Sequence, residues 1–146
     1  MIEAARILLA LRADEPWKEA WDVPGGFCEG DEHPMHAAER ELAEELGLAG
    51  EAIAYIGTWI DVYGPPARDG IRDHTANSAY LMRLGGDGGV ELRGDEVLAA
   101  RWFPLDALPE RLAFPDHIRP MLRAAATAAA RLSGAEHAGP PPDRIW

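Results

Sequence analysis

The chain has 146 residues, 47% of them hydrophobic and 27% charged, which suits one folded domain with its own core and leaves no room for two of ordinary size. A formal net charge of −11 argues against a protein that coats nucleic acid or an anionic membrane, because both need a basic surface. A small anionic ligand stays compatible with it, since a bound divalent cation reverses the local field. Cys28 is the only cysteine, so no intrachain disulfide forms, and the apolar stretch Ile7 to Leu11 is too short for a membrane span; a cytoplasmic protein is expected.

In chain order, Arg6 to Arg12 is apolar between polar ends and predicts a strand, followed by a polar loop over Ala13 to Ala20. Trp21, Asp22 and Val23 lead into Pro24, Gly25 and Gly26, a sharp turn whose backbone is open to close approach. Pro34 suits the first position of a helix that runs to about Leu46, with Gly47 as its left-handed cap. Met35, Ala38 and Leu42 recur at helical spacing and are expected to pack on a sheet. Ala52 to Tyr63 predicts a strand and Ala79 to Leu84 its partner. Between them Gly64 to Ser78 predicts a long loop carrying Arg68, Asp69, Arg72, Asp73 and His74; such loops in compact domains are more often functional than idle. Gly85 to Gly89 is a turn, Val97 to Phe103 a further strand, and Asp116 is placed to cap a last helix through the alanine-rich run to Leu132. The expected organisation is one domain over residues 1–132 and a Pro-rich tail, Ser133 to Trp146, extended or disordered.

Chemistry concentrates in the predicted helix. Glu41, Glu44 and Glu45 stand at i, i+3 and i+4, so three carboxylates share one face and repel one another. A solvated acidic surface gives the same pattern, and an isolated E-x-x-E-E is usually that. Here only Arg40 offers nearby opposite charge, and clustered oxygen donors also suit a hard cation such as Mg²⁺. Such ions neutralise an anionic ligand and lower the pKa of a bound water so that it becomes a nucleophile near neutral pH.

The segment from Gly26 to Leu48, GFCEGDEHPMHAAERELAEELGL, resembles the signature of the Nudix family at its seven fixed positions, Gly26, Glu32, Arg40, Glu41, Glu44, Glu45 and Gly47, and at its two apolar ones, Leu42 and Leu48. Seven fixed residue types at about 7% frequency each coincide by chance roughly once in 10⁸ starting positions. The resemblance reaches from about Ile7 to Phe114, taking in an L-L-x-x-R strand before the signature and R-W-F-P-L-D-x-L-P after it.

That resemblance implies an α/β fold, an α/β/α sandwich with a mixed β-sheet. It also implies a pyrophosphohydrolase using Mg²⁺, or Mn²⁺ in its place, to cleave a nucleoside diphosphate linked to another group X. The partner is then a small nucleotide, and a homodimer is compatible with it. Glu41, Glu44 and Glu45 would be the principal metal ligands, with the Gly26 carbonyl a further one and Glu32 assisting at the edge. Arg40 either orients the glutamates or only neutralises them. The general base is Glu41 or Glu96, with Asp95 adjacent to the latter. Trp59 and Tyr63 on the strand, with Arg68, Arg72 and His74 on the loop, are the candidates for recognising X. Both ADP-ribose and a nucleoside triphosphate satisfy such a site, the former preferred because the loop offers donors for a second sugar.

Two other functions carry the same fold. A non-catalytic nucleotide sensor would be favoured by loss of a signature glutamate, and none is lost. A prenyl-diphosphate isomerase wants a catalytic cysteine, whereas Cys28 lies in the signature loop, where a structural filler is expected. Two departures stand out: His33 occupies a position where the family often caps the helix with Ser or Thr, and only Met1 to Ala5 precede a strand that the family usually places second. An upstream segment, the C-terminal tail or a partner subunit would then cover that sheet edge.

Overall fold

The computed structural model describes residues 2–3, 6–63, 73–86 and 89–137. They form β1 (Ile2–Glu3), β2 (Arg6–Arg12), β3 (Trp21–Asp22), α1 (Pro34–Leu46), β4 (Gly50–Tyr63), β5 (Asp73–Leu84), β6 (Val97–Pro104) and α2 (Pro115–His137).

The architecture follows from β2. Ile7, Leu8, Leu9 and Ala10 are all buried, the mark of a strand covered on both faces. Side chains alternate across a strand, so Leu8 and Ala10 join Leu42 and Leu46 of α1, while Ile7 and Leu9 join Ile118 and Leu122 of α2. One helix therefore closes each face, and the fold is an α/β/α sandwich. Along one edge β2 pairs antiparallel with β6 from Arg6↔Pro104 to Arg12↔Val97. Its other edge is shared, β1 pairing with the start (Ile2↔Ile7) and β3 with the end (Leu11↔Trp21). The edge that the sequence left to an upstream segment, the C-terminal tail or a partner is thus covered at its start by Ile2–Glu3. β4 and β5 make a separate antiparallel hairpin, and the parallel pairing among the described residues is the isolated bridge Trp21↔Leu112.

Helix α1 has the predicted bounds because its stop signals are local. Gly47 takes φ 65° and returns its N–H to Ala43 O, while His33 substitutes for the usual hydroxyl cap, its Nδ1 accepting the Met35 N–H at 3.2 Å. Its buried stripe is Ala37, Leu42 and Leu46; Met35 and Ala38 are only half-buried, so the helix is rotated from the expected packing face.

Other expectations need correction. β5 begins at Asp73, so Asp73–Ser78, His74 included, is strand and not loop. The segment is too polar to show a strand's hydrophobic pattern, and it is held by cross-strand bonds: Thr58 Oγ1 to Ser78 Oγ at 2.9 Å, and Asn77 Nδ2 donating to Asp61 at 2.6 Å. Arg68 and Arg72 lie outside the described residues, as does the Tyr63 side chain. Helix α2 starts at Pro115, putting Asp116 inside its first turn instead of at its cap, and it runs on to His137 instead of stopping at Leu132. Residues 138–146 of the expected tail lie outside the described residues. No helix among the described residues is long and apolar enough to cross a membrane.

Candidate active site

Three segments converge on α1. The first is the turn at Gly25 and Gly26, where the Gly25 N–H donates to Glu45 Oε2 at 3.2 Å. Gly26 backs directly onto Glu41: a Cβ there would sit 2.3 Å from Oε1, so the end of the Glu41 side chain would have to move aside. The glycine that the sequence places at the head of the signature is therefore what lets the turn reach the carboxylate.

The second segment is the loop before α1, brought in by Arg40. Its guanidinium donates to both oxygens of Glu32 (3.1 and 3.0 Å), to Glu41 Oε1 (3.0 Å), to Glu44 Oε2 (2.7 Å) and to the Phe27 carbonyl (3.0 Å). The fork geometry of arginine lets one cation serve three carboxylates and a carbonyl, which lysine could not do. The hydrogen bonds Arg40 donates to Glu32, then to Glu44 and Glu41, raise its pKa, and those accepted by Glu32 hold that carboxylate below the ordinary range. Glu41 is largely covered, at 13% side-chain exposure, whereas Glu44 at 58% faces solvent.

Residues 91–96 form the third segment. The last carbonyls of α1 are not left orphaned: Glu45 O accepts the Arg93 N–H and Leu46 O the Glu91 N–H, both at 2.9 Å. This brings Glu96 close enough for its charge to act on Glu45. Burial pushes the Glu45 carboxyl up to about 7, and the charges of Glu41, Glu96 and Asp22 add to the shift against the Gly25 hydrogen bond. Glu96 and Asp95 are both exposed.

The other expected residues divide. Trp59 is half-buried with its ring over Gly57, and His74 is exposed opposite Val62. Two aromatics outside that set serve packing: Trp21 lies edge-on against Phe103 at 4.7 Å, and Trp102 lies against the core. Cys28 is a free cysteine exposed on the signature loop.

A polar group that the sequence did not single out adjoins the site. Asp61 is 6% exposed, the one buried charged residue among those described; it pairs with His117 Nδ1 at the start of α2 and accepts from Asn77. Asp22 bonds Arg12 at 3.3 Å, and burial raises its carboxyl pKa, with Asp61 adding to the shift. Glu45, Asp22 and Asp61 thus form a run of electrostatically coupled carboxylates leading from α1 into the sheet. The sequence did hold a signal: Asp61 alternates with Trp59 on a strand face that should be buried.

Fold and site together define a class: an α/β/α sandwich whose helix-borne glutamates meet a glycine turn. The chain belongs to the Nudix family, the NUDIX domain matching residues 1–125. It is 37% identical over 112 residues to an ADP-ribose pyrophosphatase of Methanocaldococcus jannaschii, covering 77% of this chain and 61% of that one. It is 35% identical over 117 residues to an RNA pyrophosphohydrolase of Acidiphilium cryptum, covering 73% and 71%. Among solved structures, a MutT NUDIX hydrolase from Burkholderia pseudomallei superposes with a TM-score of 0.67 at 28% identity, over 85% of this chain and 91% of that one. The chain spans 42%, 61% and 63% of the lengths of its Mycobacterium tuberculosis, M. jannaschii and Streptomyces ambofaciens relatives.

Proposed function

We propose that the chain is a Mg²⁺-dependent pyrophosphohydrolase that cleaves the diphosphate linkage of a nucleoside diphosphate joined to another group. The observation that carries this is the meeting of Glu41, Glu44 and Glu45 on one helix face with a turn at Gly26 where a side chain would displace the Glu41 carboxylate.

The donor set suits a hard cation. Among the described residues no three His, Cys, Asp or Glu side chains close on one point, and Arg40 accounts for this by drawing Glu41 and Glu44 to itself. Glu45 is a covered carboxylate with one backbone donor and a raised pKa, a group whose charged form a cation would stabilise. Glu41, Glu44 and Glu45 would hold the metal with the Gly26 carbonyl, and Glu32 would assist. Mg²⁺, once bound, neutralises the diphosphate and activates water. Arg40 positions the glutamates, being bonded to all but Glu45. Glu41 and Glu96 are the two candidates for the base: the first is fixed by Arg40 and the second is exposed beside Glu45.

For the substrate, ADP-ribose is preferred over a nucleoside triphosphate, in keeping with the M. jannaschii relative. Trp59, His74, Tyr63, Arg68 and Arg72 would recognise X, and Asp22, Asp61, Asn77 and His117 add polar contacts beside the carboxylates. The test is release of nucleoside monophosphate from a panel of ADP-ribose and nucleoside triphosphates, with and without Mg²⁺. No Mg²⁺-stimulated cleavage of any of them would overturn the proposal. Shortening residues 64–72 should change the ratio of ADP-ribose to triphosphate rates; an unchanged ratio removes those residues from recognition.

A further inference from the structure

On the layer opposite α1, a hollow of about 240 Å³ opens between α2 and the turn after β6. Leu105 and Leu108 line one side, Leu122 and Ala126 the other, and Arg119 and Arg123 stand at its rim. The two arginines are exposed and four residues apart, so their side chains neighbour one another on one helix face. Acidic residues outnumber Lys and Arg by 25 to 14, yet among the described residues neither arginine is ion-paired to one. Free guanidinium groups over an apolar floor are the reverse of what this chain presents overall.

We propose that the hollow docks an acidic peptide segment of a partner protein, one apolar side chain filling the leucine floor and flanking carboxylates pairing with Arg119 and Arg123. Charge complementarity favours an anion, and the floor demands that it carry an apolar anchor. Free phosphate would leave the leucines uncovered. A short peptide meets chiefly the two local guanidinium groups, because exposed charges beyond a Debye length of roughly 8 Å are screened, whereas nucleic acid or an anionic membrane also spans the acidic remainder of the −11 chain. The volume falls below the roughly 300–1,000 Å³ of sites for drug-sized ligands, so it takes an anchor side chain and not a whole nucleotide.

Fluorescence anisotropy with a fluorescein-labelled Asp-Asp-Leu-Leu-Asp-Asp peptide and the full chain tests this. Saturable binding is expected, weakened roughly tenfold or more both by Leu-to-Ala replacement in the peptide and by R119E/R123E. A126W, which fills the hollow and leaves its charge, should also weaken binding, with nucleotide cleavage and the thermal midpoint unchanged in both variants. No saturable binding, equal binding of the alanine peptide, or full binding by R119E/R123E would each overturn the proposal. Capture by phosphatidylglycerol vesicles that R119E/R123E abolishes, without peptide binding, would overturn it in favour of a lipid surface.

Discussion

Oε1 of Glu41 lies 2.3 Å from where a methyl group on Gly26 would stand, so turn and helix share a space that only glycine leaves vacant. The obstructing atoms are the end of a flexible side chain, so Gly26→Ala should cost little stability. The displaced carboxylate should lower kcat/KM by roughly a hundredfold, the scale of an ångström-sized misplacement at a reacting centre. Paired thermal melts and kinetics check this. Near-normal turnover in a folded Gly26→Ala protein would separate Glu41 from the chemistry.

Glu44→Gln and Glu45→Gln should each lower turnover by about two orders of magnitude or more with the fold retained, because each removes a proposed cation ligand. Metal linkage gives an independent readout: at a hundredfold excess over Kd, Mg²⁺ should stabilise the wild type by about 2.7 kcal/mol and either variant by less. Equal Mg²⁺-dependent shifts in the melting temperature of all three proteins would remove both residues from the metal site.

The pH dependence of the metal-free protein has a definite sign. Glu45 titrates at about 7 when folded and near 4.5 when unfolded, so between those values the native state holds the proton more tightly. Its contribution to stability is present below pH 4.5 and is lost as the pH climbs toward 7. Denaturation titrations in EDTA at pH 5 and pH 7.5 should show a smaller fall for Glu45→Gln than for the wild type. Parallel falls would mean that Glu45 is not the group responsible.

At the start of α1, the imidazole of His33 caps through a 3.2 Å bond, and the first turn holds no acidic residue. His33→Ser should therefore raise stability by about 0.5 kcal/mol, within the range measured for caps. Chemical denaturation resolves the difference, and a loss of stability would show that His33 does more than cap.

Helix α1 and its glutamates were legible because every signal is local: Pro34 to begin, Gly47 to stop, and carboxylates at i, i+3 and i+4. The sandwich was legible only through resemblance, since the burial of β2 on both faces depends on two helices far apart in the chain. The polar start of β5 was illegible, for Asp73–Ser78 becomes strand by pairing with β4 and not by its own pattern. Asp61 and His117 escaped notice for a related reason. They are 56 residues apart, and the fold alone brings the strand and the helix start together.

The segment over residues 91–96 acts as a ruler. It is stitched at one end to the α1 carbonyls of Glu45 and Leu46 through the N–H groups of Arg93 and Glu91, and at the other to Ala13, whose N–H reaches Glu96 O at 2.9 Å. Only Gly94 and Asp95 lie between the stitches at Arg93 and Glu96, so the reach of Glu96 toward Glu45 is measured by a two-residue spacer. Length can be gained or lost in the turn before Glu91 without moving either carboxylate. A single residue inserted after Arg93 would change the measure itself, sliding Glu96 along the edge of the site while every glutamate of α1 stayed in place.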